Sequence, residues 1–276
     1  MVKTVDWLEI TKVIILGIVE GITEWLPISS TGHMILVDEF IKLNVSTGFM
    51  SMFLVVIQLG AILAVLLLYW KKLLPISFNH GVTINLETLT LWTKIVIACL
   101  PAGIIGIFFN KKFEELFNNP ITVASTLIFY GIVFIIVERV KKNSSFKVNS
   151  LNDISYFTAF GIGVFQVLSL VPGTSRSGAT ILGGMILGVS RAVVTEFTFF
   201  LAVPIMFGAS LLKLRKFGLS FTLEEFTYLI LGMVTAFLIS IISIKFLVGY
   251  IRNHSFTAFG WYRIILGLLV LVYFYF

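Results

Sequence analysis

The chain has 276 residues, 58% of them hydrophobic and only 12% charged, with a mean hydropathy of +1.03. A soluble fold of this length cannot hide so much apolar surface, so the composition predicts a polytopic membrane protein. The formal charge of +6 comes from 20 Lys and Arg set in short clusters at the ends of apolar runs, a pattern of membrane topology and anionic headgroups that excludes a nucleic-acid groove.

In chain order, the first apolar run covers about 6–25 and carries Asp6, Glu9, Lys12, Glu20 and Glu24. It lacks a small-residue cleavage site after a clean apolar core, so it is expected to stay in the protein. Pro27 ends it, because proline removes a backbone donor and disfavours helical geometry in the residue before it. A short run follows at about 31–43. Runs at about 49–70, 88–109 and 120–138 reach the roughly 20 residues that a crossing needs. Cys99, inside the second of these, is the sole cysteine and can form no internal disulfide. The polar segment 139–153 is the natural boundary between halves. The same series then recurs: a run at about 152–170 stopped by Pro172, a short run at about 178–189, and crossings at about 192–214, 222–250 and 256–276.

The expected fold is therefore all-α and polytopic, a single membrane domain with six spanning helices and two re-entrant helix-loop-helix hairpins. Non-helical backbone at membrane depth survives only where protein or trapped water satisfies its amides, so the two breaks are expected to line a polar cavity. Three crossings is an odd number, so the second hairpin enters from the opposite face. The halves 1–143 and 150–276 then read as an inverted-topology repeat, and LPISSTG at 26–32 echoes VPGTSRSG at 171–178. Basic residues divide almost evenly between the two faces, and the four in the 139–153 linker tilt that linker toward the cytoplasm.

Polar chemistry concentrates in the two breaks. Glu20 and Glu24 are four apart and share a helix face. An ionised group at the bilayer centre costs about 3 kcal/mol on insertion scales, so the pair is expected to have a function. In the second loop Gly173, Thr174, Ser175 and Ser177 supply tight backbone and hydroxyls, and a half-helix from about Ser177 presents amides that attract anions. Arg176 adds a planar cation suited to phosphate oxygens; the plainer alternative is a structural ion pair with Glu20 or Glu24. The first loop offers Ser29, Ser30, Thr31 and His33, a nucleophile and a base beside the carboxylates, with helix capping as the plain reading. Convergence of these groups favours a hydrolytic or phosphoryl-transfer site. Two carboxylates would repel a diphosphate unless a divalent ion neutralised them, so Glu20 and Glu24 are expected to hold Mg²⁺ or Ca²⁺. Gly17, Gly21, Gly184 and Gly188 read as helix-packing positions. Gln58 and Glu196 read as supporting or interhelical hydrogen-bonding groups.

Glu20 and Glu24 followed by PISSTGH at 27–33, with PGTSRSGAT at 172–180, resemble the undecaprenyl-pyrophosphate phosphatase, or bacitracin-resistance, family. The similarity extends over essentially the whole chain, including VIQLGAILAV at 56–65 and EFTFFLAVP at 196–204. It implies an integral membrane enzyme of the bacterial cytoplasmic membrane that removes one phosphate from the isoprenyl diphosphate carrier of cell-wall synthesis, with a site open to the outer face and a divalent-metal requirement. Glu20 and Glu24 match its acidic motif, Ser30 and His33 its serine-histidine motif, and Ser175, Arg176 and Thr180 its second motif. Substrate contacts are expected from Ser29, Gly173, Thr174, Ser175, Ser177 and Thr180. Expected partners are the polyprenyl diphosphate, membrane lipids and a second copy of the chain, with no nucleic acid.

As a mechanism, Arg176, the 173–178 amides and a metal on Glu20 and Glu24 are expected to clamp the diphosphate, while Ser30 activated by His33, or His33 itself, attacks the terminal phosphorus. A secondary transporter or lipid flippase shares the expected architecture. A phosphatase of the phosphatidic-acid type would need a second histidine, and His80 and His254 lack suitable neighbours.

Overall fold

The computed structural model describes residues 6–77, 83–117, 119–142, 145–218 and 220–275; His80 lies outside them. The chain forms helices α1 (Trp7–Thr23), α2 (Ser30–Phe40), α3 (Thr47–Val56) and α4 (Gln58–Leu73), then a two-stranded ribbon of β1 (Ile76–Ser77) and β2 (Thr83–Ile84). Helices α5 (Leu86–Phe117), α6 (Pro120–Lys141), α7 (Tyr156–Val167), α8 (Arg176–Ile186), α9 (Arg191–Phe217), α10 (Leu223–Asn253) and α11 (Thr257–Tyr275) follow. Capping side chains mark several starts: Asp6, Ser46, Asn119 and Ser155 each accept an amide of the first turn, and Thr222 with Glu225 closes a capping box.

Among the described residues six helical stretches are long and apolar enough to cross a membrane: 47–73, 86–109, 120–141, 191–217, 223–253 and 257–275. Their outward faces carry large apolar side chains such as Phe108, Leu238, Ile242 and Leu269, which suits hydrocarbon rather than water. The protein is a multi-pass membrane protein with an all-α body; the ribbon is the only strand pairing between named strands among the described residues.

Three local details differ from the sequence reading. The 49–70 run is two helices, α3 and α4, joined at Ile57. Here Gly60 lies so close to α10 that a Cβ would stand 2.0 Å from the Met233 carbonyl oxygen. The helices end ahead of the prolines expected to stop them: α1 stops at Thr23, four residues before Pro27, and α7 stops at Val167 and tightens into a 3₁₀ turn, Leu168–Leu170, before Pro172. Helix α8 begins at Arg176, one residue earlier than read.

Packing is reciprocal between the halves. Helix α1 lies on α10, while α7 lies on α5, and α6 pairs with α11. At that last crossing a Cβ on Gly131 would meet the Gly260 carbonyl oxygen at 2.7 Å and one on Gly260 would meet that of Gly131 at 2.8 Å. Each glycine thus lets the backbone of the other helix approach closely. The largest buried cluster gathers Trp25, Phe134, Ile181, Phe199 and Phe200 around the two loops at 24–29 and 168–175.

Candidate active site

The two loops end in the same way. Ser29 and Ser175, the residues before α2 and α8, have φ of +74° and +70° and are the only non-glycine residues with positive φ among those described. Each caps its helix by accepting the amide of the residue three ahead, Gly32 at 3.3 Å and Gly178 at 3.1 Å. Positive φ in a residue with a Cβ costs about 1–3 kcal/mol and concentrates at functional sites. The superposition implied by these caps pairs Ser29 with Ser175, Ser30 with Arg176 and Gly32 with Gly178, so the prolines sit one residue out of register. Glu20 then falls opposite Gln166.

The loops touch. Ser177 Oγ donates to the carbonyls of Glu24 at 3.2 Å and Leu26 at 3.3 Å. Arg176 Nη2 donates to Glu24 Oε1 at 2.8 Å and its Nη1 to the Thr198 carbonyl at 2.9 Å, with the guanidinium 5.8 Å from the Trp25 ring centre. Ser30 Oγ donates to the other oxygen of the same carboxylate, Glu24 Oε2, at 2.9 Å. Glu24 therefore bridges a hydroxyl from one loop and a cation from the other. Glu20 is 1% exposed and lies beside Glu24 and Gln58. Among the described residues its Oε1 has no hydrogen-bond partner, and the same holds for Trp25 Nε1, Thr174 Oγ1, Arg176 Nε and both side-chain atoms of Gln166. A buried polar atom left unpaired costs about 1–3 kcal/mol, so each of these atoms would gain from a polar partner.

Several expected site residues face elsewhere. Among the described residues His33 makes no hydrogen bond to Ser30. Its Nδ1 is 2.7 Å from the Ser29 carbonyl, which can only accept, so the neutral ring carries its proton there. Its Nε2 then accepts from the Tyr262 hydroxyl at 2.7 Å, and the two rings stack with centroids 5.5 Å apart. Thr180 is fully buried, donates within α8 to the carbonyls of Arg176 and Ser177, and accepts from Thr198 Oγ1. Gly173 serves close packing, since a Cβ there would lie 2.1 Å from Thr126 Oγ1. Ser175 Oγ occupies the Gly178 amide, leaving fewer free amides at the start of α8 than an anion cradle would have. His254 stacks on Tyr250 at the end of α10. Glu196 pairs with Lys72 at 2.5 Å. Gly17, Gly21 and Gly184 are close-packing positions, whereas Gly188 turns the chain with φ +89°.

Arg263 was not foreseen. It is 0% exposed, and it donates through Nη1 to the Pro27 carbonyl at 3.2 Å and through Nη2 to the carbonyls of Gly173 at 2.9 Å and Thr174 at 2.8 Å. A single guanidinium from α11 thus holds both loops, and Tyr130 lies 5.7 Å beneath it. Among the described residues no group of three or more His, Cys, Asp or Glu could enclose a metal ion. A hard cation would instead rest on the Glu20 carboxylate, with that of Glu24 adjacent, oxygen donors of the right chemistry for Mg²⁺ or Ca²⁺.

The model for the bacitracin resistance protein BacA matches residues 13–269. The undecaprenyl-diphosphatase of Desulfitobacterium hafniense is 63% identical over 267 residues, 96% of each chain. That of Lachnoclostridium phytofermentans is 62% identical over 269 residues, 98% of each chain, and an undecaprenyl-diphosphatase of Enterococcus faecalis is 56% identical over 269 residues, 97% of this chain and 98% of that one. A match across so much of the sequence, including both loops and the α11 segment that clamps them, shows that the chain belongs to the bacitracin resistance protein BacA family.

Proposed function

We propose that this protein is an undecaprenyl-diphosphate phosphatase in which Ser30 is the nucleophile and Glu24 its base. The observation that carries this reading is the single carboxylate shared by Ser30 Oγ and Arg176 Nη2. Arg176, as a planar donor, holds the terminal phosphate in this reading. Ser30 Oγ attacks that phosphorus and its proton passes to Glu24. The bridging P–O bond breaks, and the proton moves on from Glu24 to the departing prenyl monophosphate. Water, deprotonated by Glu24, then cleaves the phosphoserine, and Ser30 regains its proton. Arg263 positions this set by fixing both loop backbones.

Glu20, with Glu24 and Gln58 beside it, would hold Mg²⁺ or Ca²⁺, which when bound neutralises diphosphate charge. The same proposal places the protein in the bacterial cytoplasmic membrane with the site open to the outer face and treats 1–143 and 150–276 as inverted copies. Reciprocal packing of α1 on α10 and α7 on α5 supports the repeat. A flippase reading draws on the same symmetry and is separated by chemistry, since transport releases no phosphate.

The test is phosphate release from a polyprenyl diphosphate by purified protein. Ser30→Ala should lower turnover by about 10⁴-fold and Arg176→Lys by about 100-fold or more, because a point charge cannot reproduce the fork. Glu20→Gln should in addition abolish the rise in thermal midpoint that added Mg²⁺ or Ca²⁺ gives the parent. Phosphate trapped on His33, or near-parental turnover in Ser30→Ala, would overturn the assignment of the nucleophile.

A further inference from the structure

A second charged site lies away from the loops, on the lipid-facing side of the α4–α10 seam. There a groove of about 340 Å³ is lined by Tyr69 from α4 and by Lys245, Val248, Gly249 and Arg252 from α10. Lys245, Gly249 and Arg252 are spaced at i, i+4 and i+7, so they share one helix face, and all three are exposed. Gly249 leaves the floor open, since a Cβ there would meet nothing within 4 Å.

Lysine is out of place here. Residue 245 sits inside the 31-residue apolar helix 223–253, about two turns, or roughly 12 Å, from its end. A cation facing hydrocarbon is costly, and such residues normally pair or mark a binding site. Among the described residues neither Lys245 nor Arg252 forms an ion pair. The nearby Lys72 is already matched to Glu196 at 2.5 Å and lies 6.0 Å from the centre of the Tyr69 ring. The Lys245 stem is long enough to carry its ammonium toward the headgroup layer. Two cations without an ion-pair partner among the described residues and a tyrosine, set near the ends of α4 and α10 beside apolar walls from Leu68, Ile244 and Val248, match a phosphodiester headgroup with an acyl chain.

We infer that this groove binds an anionic phospholipid, with Lys245 and Arg252 on its phosphate and the acyl chain between α4 and α10. Charge complementarity selects this occupant over a zwitterionic lipid, whose own cation would face the same two groups. The groove shares none of its residues with the Ser30–Glu24–Arg176 set.

The experiment is native mass spectrometry of the detergent-purified protein titrated with phosphatidylglycerol or phosphatidylcholine of identical acyl chains, comparing the parent with the Lys245→Gln/Arg252→Gln double variant. The parent should retain phosphatidylglycerol preferentially, and the variant should bind it about 30-fold more weakly, from about five-fold per basic group at an anionic surface. Phosphatidylcholine binding, phosphate release and the thermal midpoint in phosphatidylcholine should be unchanged, which shows that the variant is folded. Equal retention of the two lipids by the parent, or undiminished phosphatidylglycerol binding by the variant, overturns the inference. So does displacement of phosphatidylglycerol from the parent, but not the variant, by substoichiometric prenyl monophosphate, which would make the groove a product site. Should the double variant misfold, Lys245→Gln alone must show about a five-fold loss, and parental binding by it overturns the inference equally.

Discussion

Ser175 stands at the start of α8 with a backbone that disfavours any Cβ and a hydroxyl that caps the helix, so its two contributions oppose one another. Ser175→Ala keeps the strained φ and removes the cap, a loss of about 1 kcal/mol. Ser175→Gly loses only a few tenths from the cap and relieves about 1–2 kcal/mol of steric cost. The glycine variant should therefore unfold at a higher temperature than the alanine variant and match or exceed the parent; thermal midpoints in one detergent decide it. The opposite order would mean that the hydroxyl stabilises the loop by more than capping. At this scale the sequence disclosed the polar residues well, because Glu20, Glu24, Ser30 and Arg176 are conspicuous among apolar neighbours. It did not disclose which atoms meet. Ser30 and His33 are three apart and suggest a pair, yet Ser30 reaches back to Glu24 while His33 turns to Tyr262. Nothing in the sequence around Arg263 marks it, since its partners lie 89, 90 and 236 residues away.

Helix-helix seams are set by backbone approach, and Gly60 is the tightest point on α4. A methyl group there would lie 2.0 Å from a carbonyl oxygen of α10, an atom that cannot rotate aside. Gly60→Ala must push α4 from α10 and should destabilise the protein by about 1–3 kcal/mol or more. Gly208 on α9 is the control, because a Cβ there meets nothing within 4 Å; Gly208→Ala should be neutral or stabilise by up to about 1 kcal/mol. Comparable losses in both variants would show that helix propensity rather than approach governs the seam. Helix existence and order were readable from run length, since six apolar runs reappear as six crossings with ends shifted by a few residues. The division of 47–73 at Ile57 was not, because no proline or glycine marks it; Gly60, three residues on, reports a contact with a distant helix rather than a local break.

For the molecule as a whole, charge alone left the orientation nearly balanced, and the fold supplies a sharper test. Helix α6 crosses between Lys112 and Lys142, both exposed and on either side of a 22-residue apolar stretch. With Cys99 the sole cysteine, a Cys99→Ser background lets each position be read by itself. Lys112→Cys and Lys142→Cys should then be modified from opposite sides by a membrane-impermeant thiol reagent. If the 139–153 linker is cytoplasmic, only Lys112→Cys reacts in intact cells, and Lys142→Cys reacts after the membrane is opened. The groove with Lys245 and Arg252 lies near the end of α10 that connects to α11, and α11 runs antiparallel to α6 from the level of Lys141. An inward-facing Lys142 therefore also places that groove in the cytoplasmic leaflet, where anionic lipid makes the surface potential negative. Labelling of both positions in intact cells would contradict a crossing by α6, and reversed labelling would turn the whole molecule over, carrying the lipid groove to the outer leaflet with it.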